Sequence, residues 1–146
     1  MLRIVVLFLA STMMVAAEPG QDWESGQQAF ADGDYRSALL YFELARDTGL
    51  PGPAVHYNIA VTQYKLGRYA AALATFEDIA RRYPKMQGLA EYNMGLSERR
   101  LGNTRAAQQH FIAAFRHSEG DDKLRSLSAA MVQELEEELP SAWYGS

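Results

Sequence analysis

The stretch AVHYNIAVTQYKLGRYAAALATFEDIARRYP, residues 54 to 84, decides how the rest of the chain is read. Tyr57, Ala60, Val61 and Tyr64 recur at i, i+3, i+4 and i+7, and Tyr69, Ala72, Leu73, Phe76 and Ala80 follow a similar stripe. Each half is therefore an amphipathic helix, with the turn between them at Leu66-Gly67-Arg68. Neither helix buries its apolar face alone, so the pair requires neighbours of its own kind.

Those neighbours are in the sequence. Gly33, Gly67 and Gly102 stand 34 and 35 residues apart, a period that marks a stacked repeat. A small residue lies seven positions before each glycine (Gly26, Ala60, Gly95), an alanine five after it (Ala38, Ala72, Ala107) and a phenylalanine nine after it (Phe42, Phe76, Phe111). The small residues are expected to let paired helices approach closely. The phenylalanines are expected to fill the space between one repeat and the next, and the glycines to take the positive φ of the turn.

The spacing predicts a first helix over 21–31 with Asp22 as its N-cap, then a second over 35–48 that Gly49-Leu50-Pro51-Gly52-Pro53 stops. A third pair starts near Gln87 and closes at Ser118-Glu119-Gly120-Asp121-Asp122. A last helix over 123–139 puts Leu124, Leu127, Ser128 and Met131 where a fourth repeat would begin, and its partner does not follow. Its polar remainder, from Lys123 and Arg125 to Gln133, Glu134, Glu136, Glu137 and Glu138, suits a terminal cap over the last repeat. The acidic group reads as a solvated face that the helix dipole mildly disfavours, and Asp121 and Asp122 read as the helix's own caps.

Residues 21 to about 119 resemble the tetratricopeptide repeat family. The central copy carries the likeness most fully, in Asn58-Ile59-Ala60, Tyr64-Lys65-Leu66-Gly67-Arg68-Tyr69, Ala72, Phe76 and Pro84. The flanking copies depart from the pattern: Thr104 replaces an aromatic after the third turn, and Leu50 and Glu119 replace the closing proline. The resemblance implies an all-α, right-handed α-solenoid of three helix-turn-helix units plus a C-terminal capping helix. The repeats then span about 21–53, 54–86 and 87–120, with the cap over 122–139, all within a domain of residues 18–139.

The resemblance also implies that the first helix of each repeat lines a concave groove for a peptide or protein segment. That assigns to the groove Trp23, Gln27 and Phe30, then Tyr57, Asn58, Val61, Tyr64 and Lys65, then Tyr92, Asn93, Leu96, Arg99 and Arg100. Aromatic side chains give large contact area at low entropic cost, and Asn58 and Asn93 carry both a donor and an acceptor for a bound backbone. About half of the thirteen are expected to face the groove, the others packing between repeats. The family's lysine and asparagine clamp for a C-terminal carboxylate is matched only at Asn58. Trp23, Gln27, Leu89 and Asn93 stand where the clamp would require other groups.

Composition narrows the function further. The chain has 146 residues, 48% hydrophobic and 22% charged, as expected of an ordinary globular domain. Residues 1–17, MLRIVVLFLASTMMVAA, have an early positive charge at Arg3, an apolar run and a small-residue ending, the layout of a secretory signal peptide cleaved after Ala17. The run is too short for the roughly 20 apolar residues of a membrane span, so none is expected after cleavage. Losing Arg3 takes the net charge from −4 to −5, which disfavours nucleic acid and anionic lipid as partners. The absence of cysteine excludes disulfides and thiolate sites and is compatible with a bacterial periplasm.

No catalytic signature is present: there is no HExxH, GxSxG or glycine-rich phosphate loop. His56, His110 and His117 read as surface or inter-helix residues, because His110 and His117 are about 10 Å apart by helical rise, too far to share one ion. The expectation is a non-enzymatic scaffold without cofactor or metal that binds a protein or peptide in the cell envelope. The alternative comes from the aromatic tail 140–146, with Trp143 and Tyr144: a truncated N-terminal periplasmic domain of an outer-membrane β-barrel assembly or secretion factor.

Overall fold

Gly33, Gly67 and Gly102 adopt φ of 78°, 75° and 83°, a left-handed conformation that glycine takes without steric cost. Each reverses the chain with the same pair of bonds. Gly67 N donates to Tyr64 O and Arg68 N to Gln63 O, and the corresponding bonds recur at Gly33-Asp34 and Gly102-Asn103. This Schellman closure satisfies carbonyls that a helix end leaves open.

The structure, a computed structural model, describes residues 19–139. The expected leader and the aromatic tail, Trp143 and Tyr144 included, lie outside the described residues. Seven α-helices follow one another: α1 Pro19–Ala31, α2 Tyr35–Asp47, α3 Pro53–Lys65, α4 Tyr69–Arg82, α5 Gln87–Arg100, α6 Thr104–Arg116 and α7 Asp122–Glu138. A single 3₁₀ turn, Pro84–Met86, leads from α4 into α5. Among the described residues there is no strand, and no helix is long and apolar enough to cross a membrane. Each helix packs on the next in sequence, and α5 also touches α7, so the molecule is an all-α solenoid.

α1 starts two residues before the expected point, which places Asp22 inside its first turn, nearly buried, and not at the cap. A carboxylate there still complements the positive helix end. True side-chain caps occur at Asp34, which accepts from Ser37 N at 3.1 Å, and Asp121, which accepts from Leu124 N at 2.9 Å. The Ser37 hydrogen bonds hold the Asp34 carboxyl below the ordinary aspartate range.

The core is a series of three phenylalanine-centred layers. Phe42 clusters with Ala38, Leu39 and Ala45 of α2 and with Val55 and Ile59 of the next repeat. Phe76 sits with Ala72 and Ile79, and with Ala90 and Met94 of the following one, while Phe111 meets Ala107 and Leu135 of α7. The phenylalanines thus join consecutive repeats. They also press on the small residue of their own repeat: a Cβ built on Gly26 would lie 2.6 Å from Phe42, and one on Gly95 2.7 Å from Phe111. α7 closes the last layer with Leu124, Ser128 and Leu135 buried.

Candidate functional site: the inner helical face

α1, α3 and α5 carry all thirteen residues assigned to the groove. Gln27, Lys65 and Arg100 are exposed, the other ten are half-buried and none is fully buried. Full exposure is thus rarer than the expected half, and the reason lies in the aromatics. Trp23, Tyr57 and Tyr92 occupy the same position in successive repeats, and each packs against the phenylalanine of its own repeat. The ring centroids of Trp23–Phe42, Tyr57–Phe76 and Tyr92–Phe111 are 5.4, 5.9 and 5.4 Å apart. These rings belong to the core as much as to the groove. Burial raises the hydroxyl pKa of Tyr57 and Tyr92, so both stay neutral at any ordinary pH.

The two amides are not equivalent. Asn93 Nδ2 donates to Leu89 O at 2.8 Å, within α5. Among the described residues the Asn58 side chain has no such bond. Beneath each, a buried hydroxyl returns to the helix: Thr62 Oγ1 donates to Asn58 O at 2.6 Å and Ser97 Oγ to Asn93 O at 2.9 Å.

The C-terminal ends of α3 and α5 hold the cations. Phe30–Tyr35 and Tyr64–Tyr69 form edge-on pairs across the first two turns, with centroids 5.2 and 5.1 Å apart. In the third repeat Arg99 and Thr104 take those places, and no ring pair is possible. Arg99 turns instead to α7, donating to Glu134 at 2.6 Å and Glu138 at 3.0 Å. Arg99 is thus bound into an ion-pair network whose partners, Glu134 and Glu138, remain about half exposed. Spacing along α7 gives no hint of the pairing, which depends on how α7 crosses α5.

Arg100 reaches back to repeat two. Its guanidinium lies 5.9 Å from the Tyr64 ring centroid and 5.5 Å from that of Tyr69, and Nε donates to the Tyr64 hydroxyl at 3.3 Å. Tyr64, Leu96, Arg99 and Arg100 line a cleft of about 350 Å³ between the two repeats. Four of the thirteen residues therefore come together in one concavity.

The histidines are inter-helix contacts. His110 Nδ1 of α6 pairs with Glu91 Oε2 of α5 at 2.7 Å, His56 meets Arg82 and Tyr83 across α3 and α4, and His117 meets Gln87. Among the described residues no group of three or more His, Asp or Glu is placed to hold a metal ion. Another cleft, between α6 and α7, is lined by Ile112, Phe115, Ala129, Val132, Gln133 and Glu136. Sequence reasoning did not foresee it, since it depends on how α7 packs on α6.

Comparison with known proteins agrees with this architecture. Residues 24–86 match the family model described as Tetratricopeptide repeat. No curated protein matches. Among solved structures, PcrH from Pseudomonas aeruginosa superposes with a TM-score of 0.73 at 16% identity, over 80% of this chain and 90% of its own. The Yersinia enterocolitica type III secretion chaperone SycD, solved in complex with a peptide of the translocator YopD, gives 0.73 at 12% identity over 82% and 92%. The TPR2B domain of yeast Sti1, solved in its pHsp70 complex, gives 0.73 at 13% identity over 83% and 98%. At such identities the likeness is one of fold.

Proposed function

This chain is a tetratricopeptide repeat protein, and on that premise we propose that it is a non-catalytic scaffold that holds an extended peptide or protein segment on its inner helical face. The cleft of Tyr64, Leu96, Arg99 and Arg100 carries the reading: a concavity between two repeats, with aromatic, aliphatic and cationic walls. The remaining inner residues extend that surface along three helices, as a bound strand-like segment requires. Solved neighbours of the same fold support the assignment: SycD is held in a complex with a peptide of YopD and the TPR2B domain of Sti1 in a pHsp70 complex. The leader-like composition of residues 1–17 places this work, in our reading, in a bacterial periplasm after cleavage at Ala17.

A photo-crosslinking amino acid at Lys65, exposed at the end of α3, tests the surface in cells. It should give a discrete, saturable protein adduct that the same group at Gln109, exposed on α6, does not give. Equal labelling from both positions would refute the groove assignment. Sequencing the amino terminus of the purified protein checks export: Glu18 is expected, and a retained Met1 would overturn the location.

A further inference from the structure

Arg100 is a groove residue with no carboxylate partner among the described residues. Its contacts among the described residues are phenolic, through Tyr64 and Tyr69, and none is with a carboxylate. Arg99 beside it is neutralised by Glu134 and Glu138. Among the described residues only Nε of Arg100 is hydrogen-bonded, to the Tyr64 hydroxyl, which orients the guanidinium. The two terminal nitrogens remain available as the parallel pair of donors that a carboxylate accepts. Two rings against the cation hold it in place, so less side-chain entropy is lost when an anion docks.

The surroundings define the ligand further. Leu96 gives the cleft an apolar wall next to that cation, so an anion alone would leave part of the site unfilled. Lys65 ends α3 as Arg100 ends α5, so the same edge of the groove carries a second exposed cation one repeat away. The chain as a whole has a net charge of −4, so an acidic partner is not drawn in by overall charge. Its recognition must be local, through these two residues.

We propose that the cleft between repeats two and three takes an acidic-apolar peptide segment, with an Asp or Glu carboxylate on Arg100 and an adjacent apolar side chain against Leu96. This rests on the peptide-holding reading and names the chemistry of its partner. Lys65 serves a further acidic residue of the same segment.

The test uses the purified chain and an immobilised pool of degenerate peptides, eluted and sequenced. Enrichment of Asp or Glu next to an apolar residue is expected. Arg100→Gln should weaken binding of an enriched peptide roughly tenfold, the scale of one charge-assisted contact. Arg100→Lys should restore it only partly, because an ammonium offers no fork. Arg116→Gln, an exposed cation ending α6, should change nothing. Replacing the carboxylate by its amide in the peptide should reproduce the loss and remove most of the salt dependence. Thermal melts of each variant separate lost binding from lost folding.

Retention of peptides without acidic enrichment, or equal binding to wild type and Arg100→Gln, overturns the anionic subsite while leaving the peptide groove standing. A preference for phosphoserine over glutamate overturns the carboxylate assignment. No retained peptide at all overturns the groove itself.

Discussion

A methyl group added at Gly95 would stand 2.7 Å from Phe111 Cε1, within the core of the third repeat. Ala60 holds the same place in repeat two, so a small shift of the ring accommodates one carbon there. Gly88 differs, because its added Cβ would strike the carbonyl oxygen of His117, which is backbone and cannot yield. Gly95→Ala should therefore cost about 1 kcal/mol, since overpacking is partly offset by helix propensity, whereas Gly88→Ala should cost about 3 kcal/mol. Urea titrations of both variants check the order. His110 carries a separate consequence: its hydrogen bond to Glu91 raises its pKa above the ordinary histidine value, and Glu98 and Glu77 add to the effect. A raised folded pKa stabilises the fold fully below about pH 6.5 and loses that contribution as pH climbs through the folded value. Stability measured at pH 5.5 and 8 should show this difference in the wild type, and His110→Gln should reduce it.

α7 is the last of the described helices. It seals the third layer with Leu135 and is tied to α5 by Arg99 through Glu134 and Glu138. The side chains of this network are between one-third and about one-half exposed, 33%, 52% and 45%, so its value is small. Arg99→Ala should lower stability by about 0.5–1 kcal/mol, the difference shrinking at high salt. Amide exchange should speed up in the last turns of α7 before anywhere else. The turns also show how an element replaces a missing feature. Two repeats brace their turns with ring pairs, and the third, with Arg99 and Thr104 in place of the rings, sends Arg99 to α7.

The whole molecule is a linear stack in which helices touch chiefly their neighbours in sequence. Damage should therefore spread from where it is made. Leu135→Ala, which removes a fully buried side chain from the terminal layer, should cost about 2–4 kcal/mol and open α6 and α7 first. Phe76→Ala in the central layer should cost about 3–5 kcal/mol and lower exchange protection across all three repeats. Exchange mass spectrometry resolves the two patterns. The repeat was legible because its physics is local. Glycine at a positive φ, a small residue opposite a phenylalanine and an apolar stripe each leave a mark at fixed spacing, and 33, 67 and 102 disclose the register. The same register puts the thirteen residues assigned to the groove on α1, α3 and α5. Their individual environments did not follow. Whether Tyr57 faces solvent or Phe76, whether Asn93 is free or bonded to Leu89, and whether Arg99 or Arg100 keeps an unpaired charge are settled by how one repeat is rotated on the next. The sequence by itself determined the helices and the turns between them, because these depend on residues within one or two turns of each other. Only the tertiary structure decided which of two adjacent arginines is neutralised and which is offered to a ligand, because Glu134, Glu138 and Tyr64 lie 35, 39 and 36 residues away along the chain.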